Sequence, residues 1–256
     1  MHRTKPRTTW SLPPDTLELR PDQVDVWRIS LDFSVTSVKL LESILSADES
    51  RRAARFRFPS ARDRYIAAHG CLRVILARYL NCEPAQLRFS SNQYGKPALQ
   101  DLKLEFNLSH SGVFALIAAT QGHKVGVDVE RVRSDLEFER IASRFFSQNE
   151  ISELMVVPPD QRQIAFFTCW TRKEAYIKAQ GLGLSLPLES FDVSLTPNEP
   201  AILNATRPDS DEAARWMLFS MEVDPCYAAA VAVKGKNSEF RLWDWNTSYA
   251  PNLSDK

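Results

Sequence analysis

The 256-residue chain has little of what marks several large protein classes. Its four cysteines include no C-x-x-C pair, and its four histidines show no metal-binding spacing, so neither a zinc site nor a disulfide framework is indicated. No apolar run approaches membrane-spanning length, and the basic N-terminus lacks the apolar core of a secretory signal. The formal net charge of zero argues against general nucleic-acid binding. We therefore expect a cytoplasmic, globular protein without membrane or nucleic-acid partners.

A short strand predicted at 126–130 carries two acidic side chains on one face. Val127 and Val129 fall on the other face, because side chains alternate along a strand. Asp128 and Glu130 repel each other unless the face is solvated or a cation lies between them. The strand alone leaves both possibilities open.

A helix predicted at 164–180 carries charged residues on a stripe that would otherwise face a core. Lys173, Glu174 and Lys178 share this stripe with Trp170, at helical spacing. Such a Lys–Glu–Lys face is usually a solvated surface pair. With the two acidic residues of the strand, however, Glu174 completes a set of three carboxylates that could hold one hard cation. The two lysines would suit an anionic substrate.

These two segments together resemble the signature motifs of the 4′-phosphopantetheinyl transferases. The matching residues are G-V-D-V-E at 126–130 and W-T-R-K-E-A-Y-I-K at 170–178. The continuation A-Q-G-L-G-L-S-L-P-L at 179–188 is similar to the larger, surfactin-synthetase-activating type. The resemblance covers most of the chain, from Ser46 to Val233. It implies an α+β fold in which two similar halves are related by a pseudo-two-fold axis.

The resemblance also implies a reaction. Members of this family transfer the 4′-phosphopantetheine arm of coenzyme A to a serine of an apo acyl or peptidyl carrier protein and release adenosine 3′,5′-bisphosphate. By this resemblance, Asp128, Glu130 and Glu174 hold Mg²⁺, with Mn²⁺ as an alternative. Glu174 is our candidate for the base that accepts the serine proton, directly or through a metal-bound water. Lys178 is the second predicted catalytic residue, and the family also implies a monomer.

Coenzyme A contacts are implied along much of the chain. Ser109 and His110 match the pair that holds the 3′-phosphate, and Lys96 lies in a Gly-Lys-Pro turn whose lysine contacts phosphate. The complete set predicted to bind coenzyme A is Arg52, Arg64, Lys96, Ser109, His110, Asp128, Lys173 and Lys178. Six arginines between residues 51 and 64 form either a solvated helix face or a rim for anions and for an acidic carrier.

The chain also contains two pairs of short similar segments, and we call each pair a sequence echo. R-Y-I-A-A-H-G at 64–70 is similar to A-Y-I-K-A-Q-G at 175–181, and F-A-L-I-A-A at 114–119 is similar to Y-A-A-A-V-A at 227–232. We interpret these echoes as a duplicated helix-plus-hairpin unit. The predicted N-terminal half, 1–122, includes an extended arm, and the C-terminal half, 123–256, carries the acidic motifs and a loose tail. A cleft between the halves is the expected ligand site.

Two other functions remain open at this point. A non-catalytic coenzyme A-binding module would keep the same pocket without transfer. A metal-dependent phosphodiesterase would use water as its nucleophile and need no carrier. Trp170 is equally compatible with packing and with a place in the site.

Overall fold

The computed structural model describes residues 9–100 and 104–245, apart from the side chain of Leu184. The elements of the first half are β1 (Gln23–Ser30), α1 (Val35–Ser43), α2 (Ala47–Ala53), α3 (Pro59–Leu80), β2 (Phe89–Ser91), β3 (Pro97–Leu99), β4 (Leu104–Ser111) and β5 (Phe114–Gln121). Those of the second half are β6 (Val125–Arg131), α4 (Phe138–Phe145), α5 (Gln148–Val156), α6 (Arg162–Gln180), β7 (Phe191–Val193), β8 (Leu203–Thr206), β9 (Trp216–Ser220), β10 (Tyr227–Lys234) and β11 (Glu239–Asp244).

The same order of one strand, three helices and four strands therefore occurs in both halves, and in the second half it is followed by one more strand, β11. Each half builds a main sheet in which the first strand of this repeated set pairs antiparallel with the last, β1 with β5 and β6 with β10. The full orders are β11-β1-β5-β4 and β6-β10-β9. This arrangement confirms the prediction of an α+β fold with two similar halves. β11 was not predicted; it comes from the second half but pairs in parallel with β1 of the first. The tail predicted beyond it lies almost wholly outside the described residues.

One buried ion pair is repeated in both halves. In the first, the capping-box glutamate of α2, Glu49, lies 2.7 Å from Arg73 of α3. In the second, the capping-box glutamate of α5, Glu150, lies 2.8 Å from Lys173 of α6. Each cation also donates to two backbone carbonyls beyond its helix; these are Pro84 and Leu87 in the first half and Leu188 and Phe191 in the second. The repeat shows that α3 and α6 are equivalent helices.

This equivalence corrects part of the sequence echo. The ion pair matches Arg73 with Lys173, whereas the echo of the helices would match Arg64 with Ala175, so the echo is out of register there. The hairpin echo is confirmed, because β5 and β10 begin at the echoed positions and each has 8 residues.

Among residues 9–100 and 104–245, the interior is filled by three apolar clusters. One lies around α3 and the first sheet, and a second lies around α6 and the second sheet. The third joins the two sheets, where Val26 and Leu116 of the first meet Val127 and Val129 of the second. Burial of such side chains stabilises the fold by roughly 1.5–3 kcal/mol each. The halves are therefore packed through a shared core, and the site between them is built on a rigid base.

Polar side chains of β4 also join the sheets. β6 is an edge strand of its own sheet, and an edge strand leaves a row of backbone N–H groups unpaired. Three alternate side chains of β4 accept three of these N–H groups. The bonds are Val127 N–H to Asn107 Oδ1 at 2.9 Å, Val129 N–H to Ser109 Oγ at 3.4 Å and Arg131 N–H to Ser111 Oγ at 3.1 Å. We call these three bonds the polar ladder. Within the described ranges, no helix is both long and apolar enough to cross a membrane.

Candidate active site

An open pocket of about 360 Å³ lies where β4, β6 and α6 meet. Its lining combines acidic, basic and apolar side chains. These are Leu108, Ser109, His110, Asp128, Glu130, Trp170, Glu174 and Lys178. The pocket therefore brings together the predicted acidic strand, part of the predicted helix stripe and the predicted Ser–His pair.

The close approach of β6 to α6 depends on Gly126. A Cβ atom at this position would lie 2.2 Å from the carbonyl oxygen of Ala175 and 2.3 Å from the backbone nitrogen of Ala179. Only glycine fits there without moving one backbone away from the other. The contact places Asp128, further along the strand, next to Lys178 of the helix.

Asp128 is buried, with a 2% exposed surface, and its two carboxylate oxygens have different surroundings. Oδ1 accepts hydrogen bonds from Lys178 Nζ at 2.6 Å and from Ser109 Oγ at 2.8 Å. Oδ2 has no hydrogen-bond partner in the part of the chain that the structure describes. A buried carboxylate oxygen without a hydrogen-bond donor lowers the stability of the fold unless a bound ligand supplies the missing partner.

The pKa values of the other two carboxylates are raised above their usual range. Burial raises the pKa of Glu130, and the charge of Asp128 adds to this rise. Burial likewise raises the pKa of Glu174, followed by Asp128 and then Glu130, while Lys178 lowers it. Glu130 accepts a hydrogen bond from Ser111 Oγ at 2.8 Å. Glu174 makes no hydrogen bond to the described residues. A raised pKa and oxygens without hydrogen bonds to the described residues both favour a carboxylate as a proton acceptor.

The donor set suits Mg²⁺ chemically but is not preassembled. Three carboxylates line one pocket, and Mg²⁺ takes a few carboxylates together with water and substrate oxygens. Among residues 9–100 and 104–245, however, no three His, Cys, Asp or Glu side chains are already arranged around one metal position. The ammonium of Lys178 instead neutralises Asp128. Side-chain adjustment would therefore accompany metal binding at Asp128, Glu130 and Glu174.

The predicted Ser–His pair lies on the pocket wall. The Ser109 hydroxyl donates to Asp128 and accepts from Lys178 Nζ at 2.9 Å and from the Val129 N–H. A serine hydroxyl has one donor and two acceptor positions, so all three are used. Binding of the 3′-phosphate by this hydroxyl stays a prediction, and it would require one of these bonds to break.

His110 is better placed to receive an anion. Its side chain is exposed at the surface, yet enough protein surrounds the ring that burial lowers its pKa, and His69 and Lys178 lower it further. An anion bound beside it would act in the opposite direction and favour the protonated ring. Nearby, the His69 ring packs against Tyr65 in a tilted arrangement, with ring centroids 4.1 Å apart.

The prediction that Lys173 contacts coenzyme A is wrong for this structure. Its side chain is fully buried; Nζ lies 2.8 Å from Glu150 and donates to the carbonyls of Leu188 and Phe191 at 2.7 Å each. It points into the core of the second half, so it is not available to coenzyme A. Adjacent helix positions differ by about 100° around the axis, which separates Lys173 from Glu174 although both fell on the predicted stripe.

Lys96 also has a different environment from the one predicted. Its Nζ donates to the carbonyls of Val125 at 3.0 Å and Ala179 at 3.2 Å, and burial lowers its pKa. Neighbouring Asn92 donates to the carbonyl of Gly181 at 2.7 Å. The turn that carries Lys96 is thus docked on the start of β6 and the end of α6. Lys96 does not line the pocket, and its role as a phosphate contact stays a prediction.

The two predicted arginines do not line the pocket either. Arg52 is exposed and Arg64 is partly buried. Arg52 lies close to Tyr65: burial raises the pKa of this tyrosine, and Glu49 adds to the rise, while Arg52 opposes it. Both arginines stay predictions as coenzyme A contacts.

The position of Trp170 is compatible with both possibilities left open by the sequence. It lines the pocket, and it packs edge-on against Phe145 and stacked on Phe166. Leu108 and Ser111 were not predicted as site residues. The alternation of polar side chains in N-L-S-H-S at 107–111 was the available signal, since it places Asn107, Ser109 and Ser111 on one face of a strand.

Comparison with known proteins gives two family matches that divide the chain between them. Residues 124–232 match the 4′-phosphopantetheinyl transferase superfamily, and residues 33–122 match the family described as 4′-phosphopantetheinyl transferase, N-terminal.

Individual relatives span nearly the same length. The chain is 41% identical to the 4′-phosphopantetheinyl transferase HetI of Nostoc sp., over 93% of this chain and 98% of the relative. It is 34% identical to the 4′-phosphopantetheinyl transferase Sfp of Bacillus subtilis, over 74% of this chain and 82% of the relative. The crystal structure of the Thermotoga maritima holo-[acyl-carrier-protein] synthase matches loosely, with a TM-score of 0.35 and 24% identity over 44% of this chain and 63% of that chain.

Proposed function

Since this chain belongs to the 4′-phosphopantetheinyl transferase superfamily, we propose that it uses Mg²⁺ to transfer the phosphopantetheine arm of coenzyme A to a carrier-protein serine. The second product is adenosine 3′,5′-bisphosphate. The observation that carries this proposal is one pocket that holds Asp128, Glu130 and Glu174 together with Lys178. Such a site can bind a metal–pyrophosphate group and also accept a proton.

The reaction makes one bond and breaks one. The serine oxygen of the carrier attacks the phosphorus that carries the pantetheine arm. The bond from that phosphorus to the bridging pyrophosphate oxygen breaks, and the electron pair leaves with the adenosine bisphosphate. The serine proton passes to Glu174. Phosphoryl transfer of this kind depends mainly on positioning and on charge stabilisation.

Each residue of the pocket has a defined task in this proposal. Asp128, Glu130 and Glu174 would hold the cation, which when bound offsets negative charge on the pyrophosphate. Lys178, released from Asp128, would contact a phosphate oxygen. His110 would bind the 3′-phosphate in its protonated form. The raised pKa of Glu174 supports its assignment as the proton acceptor, because a higher pKa makes a carboxylate a stronger base.

A stoichiometric product assay tests the proposal. The chain is incubated with coenzyme A, Mg²⁺ and an apo acyl carrier protein, and adenosine 3′,5′-bisphosphate is quantified by chromatography. We expect its release to depend on the carrier, to stop with EDTA and to resume with Mg²⁺. A carrier whose acceptor serine is replaced by alanine is the matched control. Equal release without a carrier would indicate a phosphodiesterase, and binding of coenzyme A without release would indicate a binding module.

Two further expectations concern how the carrier docks and the oligomeric state of the chain. The arginines between 51 and 64 form a basic segment that suits an acidic carrier, so capture should weaken as salt rises. A salt-independent KM for the carrier would contradict this docking mode. The chain is expected to be a monomer, which light scattering at assay concentration would test.

A further inference from the structure

Ser111 has a contact that none of the predicted roles uses. Its hydroxyl donates a hydrogen bond to Glu130 Oε2 at 2.8 Å and accepts the backbone N–H of Arg131 at 3.1 Å. The N–H can only donate and the carboxylate can only accept, so the direction of both bonds is fixed. The Ser111 hydroxyl therefore fixes the position of one oxygen of Glu130, Oε2.

The contact crosses from one half of the molecule to the other. Ser111 ends β4 of the first half, whereas Glu130 lies on β6 of the second. The bond belongs to the polar ladder, whose backbone part fixes the two strands relative to each other. The same arrangement occurs one step earlier, where Ser109 accepts the Val129 N–H and donates to Asp128. Both neighbouring acidic residues of β6 are thus oriented by hydroxyls of the opposite half.

We propose that Ser111 is a positioning residue that orients Glu130 for the cation. The hydroxyl occupies Oε2, and Oε1 has no hydrogen bond to the described residues, which leaves Oε1 for the metal. Hydrogen bonds to ligand carboxylates fix their orientation before the metal arrives, so less ordering is required on binding. This inference rests on the proposed function, because it assigns Glu130 to the metal.

The chain supplies a matched control for the ladder itself. Asn107 accepts the Val127 N–H at 2.9 Å just as Ser111 accepts the Arg131 N–H, but it makes no hydrogen bond to a carboxylate within the described residues. Asn107→Ala therefore removes a bond of the ladder without touching the acidic residues. Ser111→Thr keeps the hydroxyl and adds one methyl group at a partly exposed position.

Direct metal binding distinguishes these variants. Mn²⁺ is titrated into each protein at a fixed coenzyme A concentration, and free Mn²⁺ is followed by electron paramagnetic resonance; thermal melting is recorded in parallel. We expect Ser111→Ala to weaken Mn²⁺ binding on the order of 10-fold. This is the lower end of the usual loss of metal affinity when a residue that hydrogen-bonds to a metal ligand is replaced. Ser111→Thr should bind as the wild type does. Asn107→Ala should melt at a lower temperature but bind Mn²⁺ normally.

The kinetic consequence is equally specific. Ser111→Ala should need more Mg²⁺ for half-maximal transfer, recover its rate at saturating Mg²⁺ and keep its KM for the carrier. Unchanged Mn²⁺ binding in Ser111→Ala, or equal weakening in Asn107→Ala, would overturn the proposal. Absence of Mn²⁺ binding by the wild type would also overturn it, while carrier modification by the same preparation would decide separately whether the transferase function stands.

Discussion

Lys178 Nζ lies 2.6 Å from Asp128 Oδ1 and 2.9 Å from Ser109 Oγ. The ammonium thus neutralises a buried carboxylate at the place where the proposed reaction needs a metal cation. In the proposed mechanism it is an internal counter-ion whose place a divalent cation would take, which would free the ammonium for a phosphate oxygen. This exchange gives the pocket a defined resting state.

Replacement of Lys178 should therefore destabilise the protein without metal. Lys178→Met leaves the buried Asp128 carboxylate without its counter-ion. Loss of one partner of a buried ion pair lowers the free energy of unfolding by about 3 kcal/mol. We expect a lower melting temperature in EDTA and a larger stabilisation by Mg²⁺ than in the wild type, since the cation then fills an empty position. Calorimetry with and without Mg²⁺ measures both. Lys39→Met, at an exposed lysine, is the control; a variant that melts as this control does would contradict the counter-ion role.

Glu174→Gln should separate transfer from binding. The amide keeps the shape of the side chain but cannot accept the serine proton, and loss of a general base typically costs on the order of 10²–10⁴-fold in rate. We expect coenzyme A affinity to change little, because the amide keeps one oxygen for the cation and the proposed anion contacts lie on Lys178 and His110. Single-turnover transfer and equilibrium titration with coenzyme A give the two values. Transfer near the wild-type rate would exclude Glu174 as the base.

The same variant should gain stability at neutral pH. The pKa of Glu174 is raised above its usual 4.5 by burial and then by its acidic neighbours, with Lys178 opposing. The unfolded chain ionises at lower pH than the folded one, so this carboxyl reduces the unfolding free energy increasingly above pH 4.5. Glu174→Gln should raise the melting temperature in EDTA at neutral pH and give no gain below pH 4.5.

The exposed Glu189 provides the control for that experiment, since Glu189→Gln also removes one negative charge. An equal gain from both substitutions would mean that net charge, rather than the environment of Glu174, is responsible. A gain in Glu174→Gln that persists unchanged into acid would contradict the raised pKa.

Lys173→Met should affect stability but not coenzyme A. Removal of the fully buried ammonium leaves Glu150 without its counter-ion, which costs roughly 3–5 kcal/mol of unfolding free energy. Arg73→Met breaks the equivalent pair of the first half and should have a similar effect. Denaturant unfolding and coenzyme A titration check this. Loss of coenzyme A affinity in folded Lys173→Met, but not in Arg73→Met, would restore the lysine to the binding site.

The sequence predicted the acidic strand correctly because alternation is a local property. Val127 and Val129 face the shared core, which leaves Asp128 and Glu130 on the side of the pocket. The helix stripe was less well predicted. A stripe spaced by three and four residues covers a wide arc, and only Trp170, Glu174 and Lys178 of it reach the pocket. The burial of Lys173 depends on Glu150, a partner on another helix.

Other features depend on contacts that are distant in the sequence. β11 pairs with β1 from the opposite end of the chain, and no local pattern indicated that partner. Lys96 sits in a turn as predicted, but its carbonyl partners belong to the second half.

Within the described residues, the two halves differ at the positions that form the acidic pocket. The shared register of the strand pairs, Val24 with Thr120 and Val125 with Val233, places the buried Trp27 where the second half has Asp128. The helix match places the apolar Val74 where the second half has Glu174. The first half thus keeps the framework but fills the corresponding space with hydrophobic side chains.

We propose that this pocket moves a phosphopantetheine arm onto a carrier serine. Intact mass spectrometry of an apo acyl carrier protein, incubated with the chain, coenzyme A and Mg²⁺, tests it most directly. We predict a mass gain of one phosphopantetheine group that disappears with EDTA, with the Glu174→Gln variant and with a carrier lacking its serine. No gain on any of several different carriers, from a chain that demonstrably binds coenzyme A, would contradict the account.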